Sequence, residues 1–216
     1  MAYRYQELRP VDADIPALVP LAFLRRAESL CALADPDLAA VKAAAESLVL
    51  EILGWPEATD GARSVARRDY TETIVLDGPA PVLDLARRPV GVSAVSLDGA
   101  LVDPSLYRVM ESIGRIVWRA AWPAPGVEIA VSYAGGWRTP AQEAGEGPVL
   151  PGALAEAVLR TSQLIGESAA RFDGVTASRA DESMDGLGSW SSAWTAGGRA
   201  IDDEIRPLVA TFVWRA

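Results

Sequence analysis

The sequence predicts an α+β fold in which N-terminal helices and one long helix pack with a small antiparallel β-sheet or open barrel, followed by an extended C-terminal arm. Near residues 35–54 and 153–172, apolar residues recur every three to four positions, which is the spacing of one helix face. Between residues 62 and 137 they instead fall in short runs interrupted by Gly, Pro and Asp. That pattern is typical of short strands joined by turns.

Size and composition favour a globular protein that needs no disulfides or metals for stability. The chain has 216 residues, of which 50% are hydrophobic, so it can bury a substantial core. We expect one domain at residues 1–174 and the C-terminal arm at residues 175–216, because no linker divides the chain into halves. The single cysteine, Cys31, is expected to be a buried, inert thiol. The apolar run Ile15–Leu24 is short and follows acidic residues, so we expect neither a membrane span nor a secretory signal, and synthesis in the cytoplasm.

Two helices are predicted before residue 55. Residues 17–33 suit a short helix, provided that Pro20 lies in its first turn. For the second helix, Asp35 is the expected N-cap, Pro36 suits the first helical position and Gly54 suits a left-handed end.

The second helix carries an apolar stripe that we expect to face the core. Lys42 and Glu46 are spaced to form an exposed i,i+4 ion pair on this helix. The stripe consists of Leu38, Val41, Ala45, Leu48 and Ile52.

The middle of the chain predicts strands. Asp98-Gly99 indicates a tight hairpin turn because both residues tolerate positive φ, and Leu101-Val102 would begin the return strand. The other predicted strands are Thr71–Leu76, Val82–Leu85, Pro89–Leu97, Tyr107–Val109 and Ile116–Trp118.

A further strand, Val127–Tyr133, shows the clearest alternation. Its odd-numbered residues are apolar or aromatic and should share one face, and Ala134-Gly135-Gly136 ends the strand. The helix Ala153–Phe172 follows, with Leu154, Val158, Ile165 and Phe172 on one side. Three tryptophans in or beside strands, Trp118, Trp122 and Trp137, are expected to fill the core.

The C-terminal arm combines polar spacers with large apolar residues, including Met184 and Leu187. Its later part has helical spacing interrupted by Pro207, so residues 208–214 could be helical or extended. Tryptophan is frequent at interface hot spots, which favours a binding role for this arm. The residues we select as its docking candidates are Trp190, Trp194, Ile205, Leu208, Phe212 and Trp214.

Several kinds of chemistry lack the residues they need. The chain has no histidine, which excludes Ser-His triads and histidine-ligated metals, and one cysteine is too few for a zinc site. No phosphate-binding loop is present. Asp181-Glu182 and Asp202-Asp203-Glu204 could act as acid–base pairs or bind a hard cation, although adjacent acids are more often solvated or capping groups. We therefore predict no catalytic residue, cofactor or metal.

The order of these features resembles the head–tail connector (adaptor) proteins of tailed phages and phage-like gene transfer agents. The resemblance covers most of the chain. It rests on two N-terminal helices, a Pro89-Val90 strand with its Asp98-Gly99 hairpin, a strand ending in Tyr133-x-x-Gly136-Trp137, the helix after Pro151, and Gly188-Ser189-Trp190. The strand block at Gly61–Pro89 and the tryptophan-bearing arm depart from that pattern.

The resemblance implies a structural role in a virion or particle neck. It implies a homo-oligomeric ring, dodecameric in size, that binds a portal protein on one side and a stopper or tail-completion protein on the other. DNA would pass through without specific binding, in keeping with a net charge of −9. On this interpretation the C-terminal arm docks onto the portal.

Two other classes stay open at this stage. A carboxylate-dependent hydrolase delivered with a particle would need two carboxylates facing each other across a cleft. A small-ligand-binding β-domain would need a deep apolar pocket.

Overall fold

Helices and antiparallel strands both occur in the chain, so the predicted α+β class is confirmed. The computed structural model describes residues 3–12, 14–119, 123–140, 142, 147–172 and 203–213, and within them the strands form no closed barrel. In chain order the elements are β1 (Tyr3–Pro10), α1 (Leu21–Leu24), α2 (Glu28–Cys31), α3 (Asp35–Leu53), β2 (Arg68–Leu76), β3 (Val82–Asp84), β4 (Val90–Leu97), β5 (Ala100–Leu101), β6 (Tyr107–Met110), β7 (Arg115–Trp118), β8 (Glu128–Gly135) and α4 (Gly152–Phe172). Residues 203–209 form a further short helix, here named the C-terminal helix.

Two compact units make up the chain, and each is discontinuous in sequence. Unit 1 comprises Met1–Leu18 and Trp55–Leu150, and unit 2 comprises Val19–Gly54 and Pro151–Ala216. The expected boundary between domain and arm, at residue 174, lies outside the described residues. None of the helices in the described ranges is long and apolar enough to cross a membrane.

Unit 1 contains both sheets. The larger has the strand order β1-β2-β8-β4-β5 and the smaller has the order β3-β7-β6, and all of their pairings are antiparallel. The predicted hairpin is confirmed, because Asp98 and Gly99 both have positive φ, at 47° and 80°. Strand β1 was not predicted from the sequence.

One apolar core lies between the sheets of unit 1. Ile74, Val131 and Val95 of the larger sheet and Leu83 and Ile116 of the smaller sheet all belong to it. Of the three tryptophans expected in the core, Trp118 and Trp137 are buried, and Trp122 lies outside the described residues.

Unit 2 is helical, and α3 packs against α4. Gly54, in the left-handed conformation at φ 64°, ends α3 as predicted. The buried stripe of α3 is rotated slightly from the predicted one and consists of Leu38, Ala45, Val49 and Leu53. On α4, the predicted core residues Leu154, Val158 and Ile165 are buried.

The single helix predicted at residues 17–33 is in fact two one-turn helices, α1 and α2. Arg25 directly follows α1, and its guanidinium donates to the carbonyls of Cys31 and Leu33, both at 2.7 Å. It also pairs with the Asp35 carboxylate at 2.5 Å. The prediction that Asp35 is the N-cap of α3 is wrong. Asp35 is the first residue of the helix, and Ala34 occupies the N-cap position without a side-chain cap.

Two other predictions about unit 2 are wrong. Cys31 is exposed rather than buried, and its Sγ lies 3.0 Å from the Glu28 carbonyl. The Lys42–Glu46 pair forms at 3.4 Å, but it is largely buried, with side chains only 15% and 16% exposed. Both side chains also bond the backbone of Val19, which accepts from Lys42 and donates to Glu46. The pair therefore fixes the first residue of unit 2 against α3.

Candidate functional site

Tyr133, the first residue of the Tyr-x-x-Gly-Trp motif, lies on the core face of β8. Ile129 and Val131 precede it on the same face, and all three are buried. The face predicted from the alternation of this strand is thus confirmed. Glu128, Ala130 and Ser132 lie on the more accessible face.

Gly136 and Trp137 attach the end of β8 to two neighbouring segments of the same chain. The N–H groups of Gly136 and Trp137 donate to the carbonyls of Pro89 and Val65, at 2.9 and 2.8 Å. Gly136 has φ 99°, and a Cβ there would lie 2.6 Å from the carbonyl oxygens of Val65 and Ala66. Only glycine fits so close a backbone approach. Trp137 then packs against Trp55, with ring centroids 5.4 Å apart and the ring planes tilted by 38°.

A fully buried carboxylate, Glu72 of β2, lies behind this motif. It accepts from the Tyr133 hydroxyl at 2.6 Å, the Gln6 amide at 2.5 Å and the Ala86 N–H at 3.0 Å. Burial raises the pKa of Glu72, while these hydrogen bonds and the nearby Arg87 charge lower it in part. The same carboxylate thus joins β1, β2, β8 and the segment that precedes β4.

Arg87 is the cation of this buried network. Its side chain is 0% exposed and donates to the carbonyls of Ala86 and Pro56, at 3.2 and 2.7 Å. The guanidinium carbon lies 5.7 Å from the Trp55 ring centroid and 5.5 Å from that of Tyr70. Arg87 therefore links the aromatic pair at Trp55 with the tyrosines of β2 and β8.

The Tyr-x-x-Gly-Trp motif accordingly has a structural role in unit 1. Tyr133 bonds the neighbouring strand β2, and Gly136 and Trp137 bond the segments that contain Pro89 and Val65. The described contacts contain no nucleophile–base pair. Sequence analysis did not identify Glu72 or Arg87 as part of the same network. The only available signal was that Arg68, Tyr70, Glu72 and Ile74 share one face of a strand.

The predicted docking residues have different environments. Ile205 is fully buried in the C-terminal helix, so its side chain is not available to a partner in this conformation. Leu208 is 37% exposed, and Phe212 is half-buried. Trp190, Trp194 and Trp214 lie outside the described residues.

The chain around Pro207 is helical rather than extended. Residues 203–209 form the C-terminal helix, and the Phe212 N–H closes the following turn by donating to the Val209 carbonyl at 2.8 Å. Glu204 pairs with Arg160 of α4 at 3.2 Å, and Val209 is buried like Ile205. This end of the arm is therefore folded as part of unit 2.

Unit 1 exposes several large apolar side chains within thirteen consecutive residues. Leu101 is 79% exposed, and it lies in β5, at an edge of the larger sheet. Met110 lies in β6, at an edge of the smaller sheet. We name as the hairpin-side apolar segment the four residues Leu101, Leu106, Met110 and Ile113.

The carboxylate pairs singled out from the sequence do not form a site in the described residues. Asp181, Glu182 and Asp202 lie outside them, and Glu204 is engaged with Arg160. No cluster of three or more His, Cys, Asp or Glu side chains suited to a metal occurs in the described ranges. Asp12 and Asp14 do line a cleft, but both come from one short loop. A glycosidase would require two carboxylates on opposite walls.

No protein family profile matches this chain, and no curated protein matches it.

Proposed function

We propose that the protein is a structural adaptor that forms a homo-oligomeric ring in the neck of a phage or phage-like particle, between the portal and a stopper or tail-completion protein. The observation that carries this proposal is the order of the elements. Helical α3, the Asp98-Gly99 hairpin, β8 ending in Tyr133-x-x-Gly136-Trp137, and α4 follow one another in the order of the connector proteins that the sequence resembles.

The exposed apolar residues of unit 1 support a role in assembly. Apolar side chains that stay in water on a monomer often mark surfaces that a partner covers. The hairpin-side apolar segment supplies four of them, and two lie on strands at the edges of the described sheets, where another chain could add a strand. Contacts between copies of this chain would cover such a surface.

The portal-docking role is proposed for the arm, with Leu208, Phe212 and the tryptophans Trp190, Trp194 and Trp214 as its contact residues. Leu208 presents an exposed side chain from a folded helix, so it can bind without an ordering cost at that position. Ile205 supports the helix from its buried side.

Charge is consistent with a channel through which DNA slides. A net charge of −9 disfavours phosphate binding, which depends on clustered basic residues. We propose that the residues facing the lumen of the ring are acidic or neutral, with few arginines.

Immunolabelling tests the assignment directly. Antibody raised against this chain should label the neck in negative-stain images of purified particles, at a single site between head and tail. Label that is absent from the neck, or spread over the head, would refute the proposal. Antibody preincubated with the purified protein is the matched control.

A further inference from the structure

A cleft of about 290 Å³ in unit 1 is lined by two acidic and two basic side chains. One wall comes from the loop after β1, with Asp12, Asp14 and Pro16. The other comes from the start of β2, with Arg67 and Arg68, and Gln142 completes the lining. The formal charges of these side chains sum to zero, with the acidic residues on one wall and the basic residues on the other.

Arg67 is held in place through its backbone. Its N–H donates to the Trp137 carbonyl at 2.8 Å, and its carbonyl accepts from the Gln142 amide at 2.7 Å. Gly147 lies against the guanidinium so closely that a Cβ there would be 2.6 Å from Nη1. Yet this guanidinium forms no ion pair or side-chain hydrogen bond with the residues that the structure describes. Within that part of the chain, Arg67 has a fixed backbone and no counter-ion.

Arg68 is an incompletely bonded cation at the same cleft. Its side chain is only 2% exposed, and Nη2 donates to the Asp12 carbonyl and to the Asp60 carboxylate, the latter at 3.0 Å. Its Nε and Nη1 are buried and have no hydrogen-bond partner among the described residues. Buried donors of this kind are uncommon in folded proteins, so Arg68 has hydrogen-bonding capacity left for an acceptor at the cleft.

The carboxylates of Asp12 and Asp14 are exposed, and neither forms an ion pair within the described part of the chain. An anion without a positive group would be attracted to Arg67 but repelled by these two carboxylates. A cation without a negative group would be attracted to the carboxylates but repelled by Arg67. A ligand carrying both signs satisfies both walls, since guanidinium binds carboxylate and carboxylate binds ammonium.

We propose that this cleft is a binding site for a small zwitterion of the amino-acid type, with its carboxylate at Arg67 and Arg68 and its ammonium group at Asp12 and Asp14. The Gln142 amide is already bonded to the Arg67 carbonyl, so it positions the arginine. This site goes beyond the adaptor role and does not depend on it.

Isothermal titration calorimetry of the full-length protein tests the proposal with L-glutamate and glycine as zwitterions, and with acetate and methylammonium as single-charge comparators at matched ionic strength. We expect binding of at least one zwitterion, at least tenfold tighter than that of either comparator. Arg67→Gln should weaken it at least tenfold. Arg63→Gln is the matched control, because Arg63 pairs with Glu57 and does not line the cleft.

Gly147→Ala provides a second variant that keeps every charge but pushes on the Arg67 guanidinium, and it should also weaken binding. Far-UV circular dichroism checks that each variant is folded. Acetate binding as tightly as glycine would overturn the zwitterion assignment. No binding of either zwitterion to the wild type, or equal loss in Arg63→Gln, would overturn the site.

Discussion

The Tyr133 hydroxyl donates to the Glu72 carboxylate at 2.6 Å, in the buried interior of unit 1. Burial and the adjacent carboxylate raise the pKa of Tyr133 well above its usual value, so the phenol stays protonated and remains a donor. The tyrosine of the most recognisable motif in the chain is thus the partner of a carboxylate that lies 61 positions earlier.

Tyr133→Phe should lower the free energy of unfolding by about 1–3 kcal/mol, because it removes one donor from a buried carboxyl group. Urea denaturation measures the change. Tyr70→Phe is the matched control, since Tyr70 pairs with Tyr133 across β2 and β8 and its buried hydroxyl bonds none of the described residues. Its removal should change stability little. Equal losses of stability in both variants would show that the Tyr133–Glu72 hydrogen bond does not contribute to the free energy of unfolding.

Glu72→Gln should change how stability depends on pH. Since the pKa of Glu72 is raised in the folded state, folding favours its protonated form. Its contribution to stability is therefore fully present below the unfolded-state pKa and is lost as pH rises through the higher folded-state pKa. Relative to wild type, the Gln variant should become progressively more stable as pH rises through that interval. Urea titrations at several pH values measure this difference, and a difference that is constant with pH would contradict the expectation.

Gly136→Ala should destabilise unit 1 more than Gly61→Ala does. Both glycines have positive φ, so alanine is strained at each, by about 1–2 kcal/mol. A Cβ at Gly61 meets nothing within 4 Å, whereas one at Gly136 would collide with two carbonyl oxygens. The difference between the two variants in thermal unfolding measures the additional cost of a Cβ at position 136. Equal losses of stability in the two variants would mean that the backbone at residues 65 and 66 moves away from the added Cβ at no energetic cost.

Ile205→Ala and Leu208→Ala separate the two faces of the C-terminal helix. Ile205 is fully buried, so its truncation should lower the free energy of unfolding by about 2–5 kcal/mol. Leu208 is partly exposed, and its truncation should change stability by less than about 0.5–1 kcal/mol while weakening portal binding. Pull-down with purified portal and chemical denaturation provide the two measurements. Unchanged portal binding in Leu208→Ala would remove this residue from the proposed contact.

Deletion of residues 175–216 should also lower stability, because it removes the buried Ile205 and Val209 together with the Glu204 partner of Arg160. Differential scanning fluorimetry should show a lower unfolding temperature for the shortened chain. A chain that unfolds as wild type but no longer binds portals would instead indicate that the whole arm acts only in docking.

Duplex DNA should not bind the isolated protein at physiological salt, because its net charge of −9 repels phosphates. Fluorescence anisotropy with a labelled duplex measures this. Salt-sensitive binding under those conditions would contradict an acidic or neutral lumen.

Local patterns in the sequence determined the clearest elements of the fold. Alternation in Val127–Tyr133 predicts the buried face of β8, because successive residues of a strand point to opposite faces. Asp98-Gly99 predicts a turn with positive φ, and Gly54 predicts the end of α3, because few other residues adopt the left-handed conformation. All three features depend on backbone conformation within a few residues.

Tertiary structure decided which polar groups are buried and what they bond. On β2 the core face carries Arg68 and Glu72, whereas hydrophobicity alone would favour leaving charged residues in water. The partner of Arg68 is Asp60, eight positions away, whereas the partners of Glu72 are Tyr133, Gln6 and the Ala86 N–H, which lie 61, 66 and 14 positions away and meet it only in the folded chain. Likewise, Ile205 and Leu208 show the same helical spacing in the sequence, and only packing within the folded chain buries one and exposes the other.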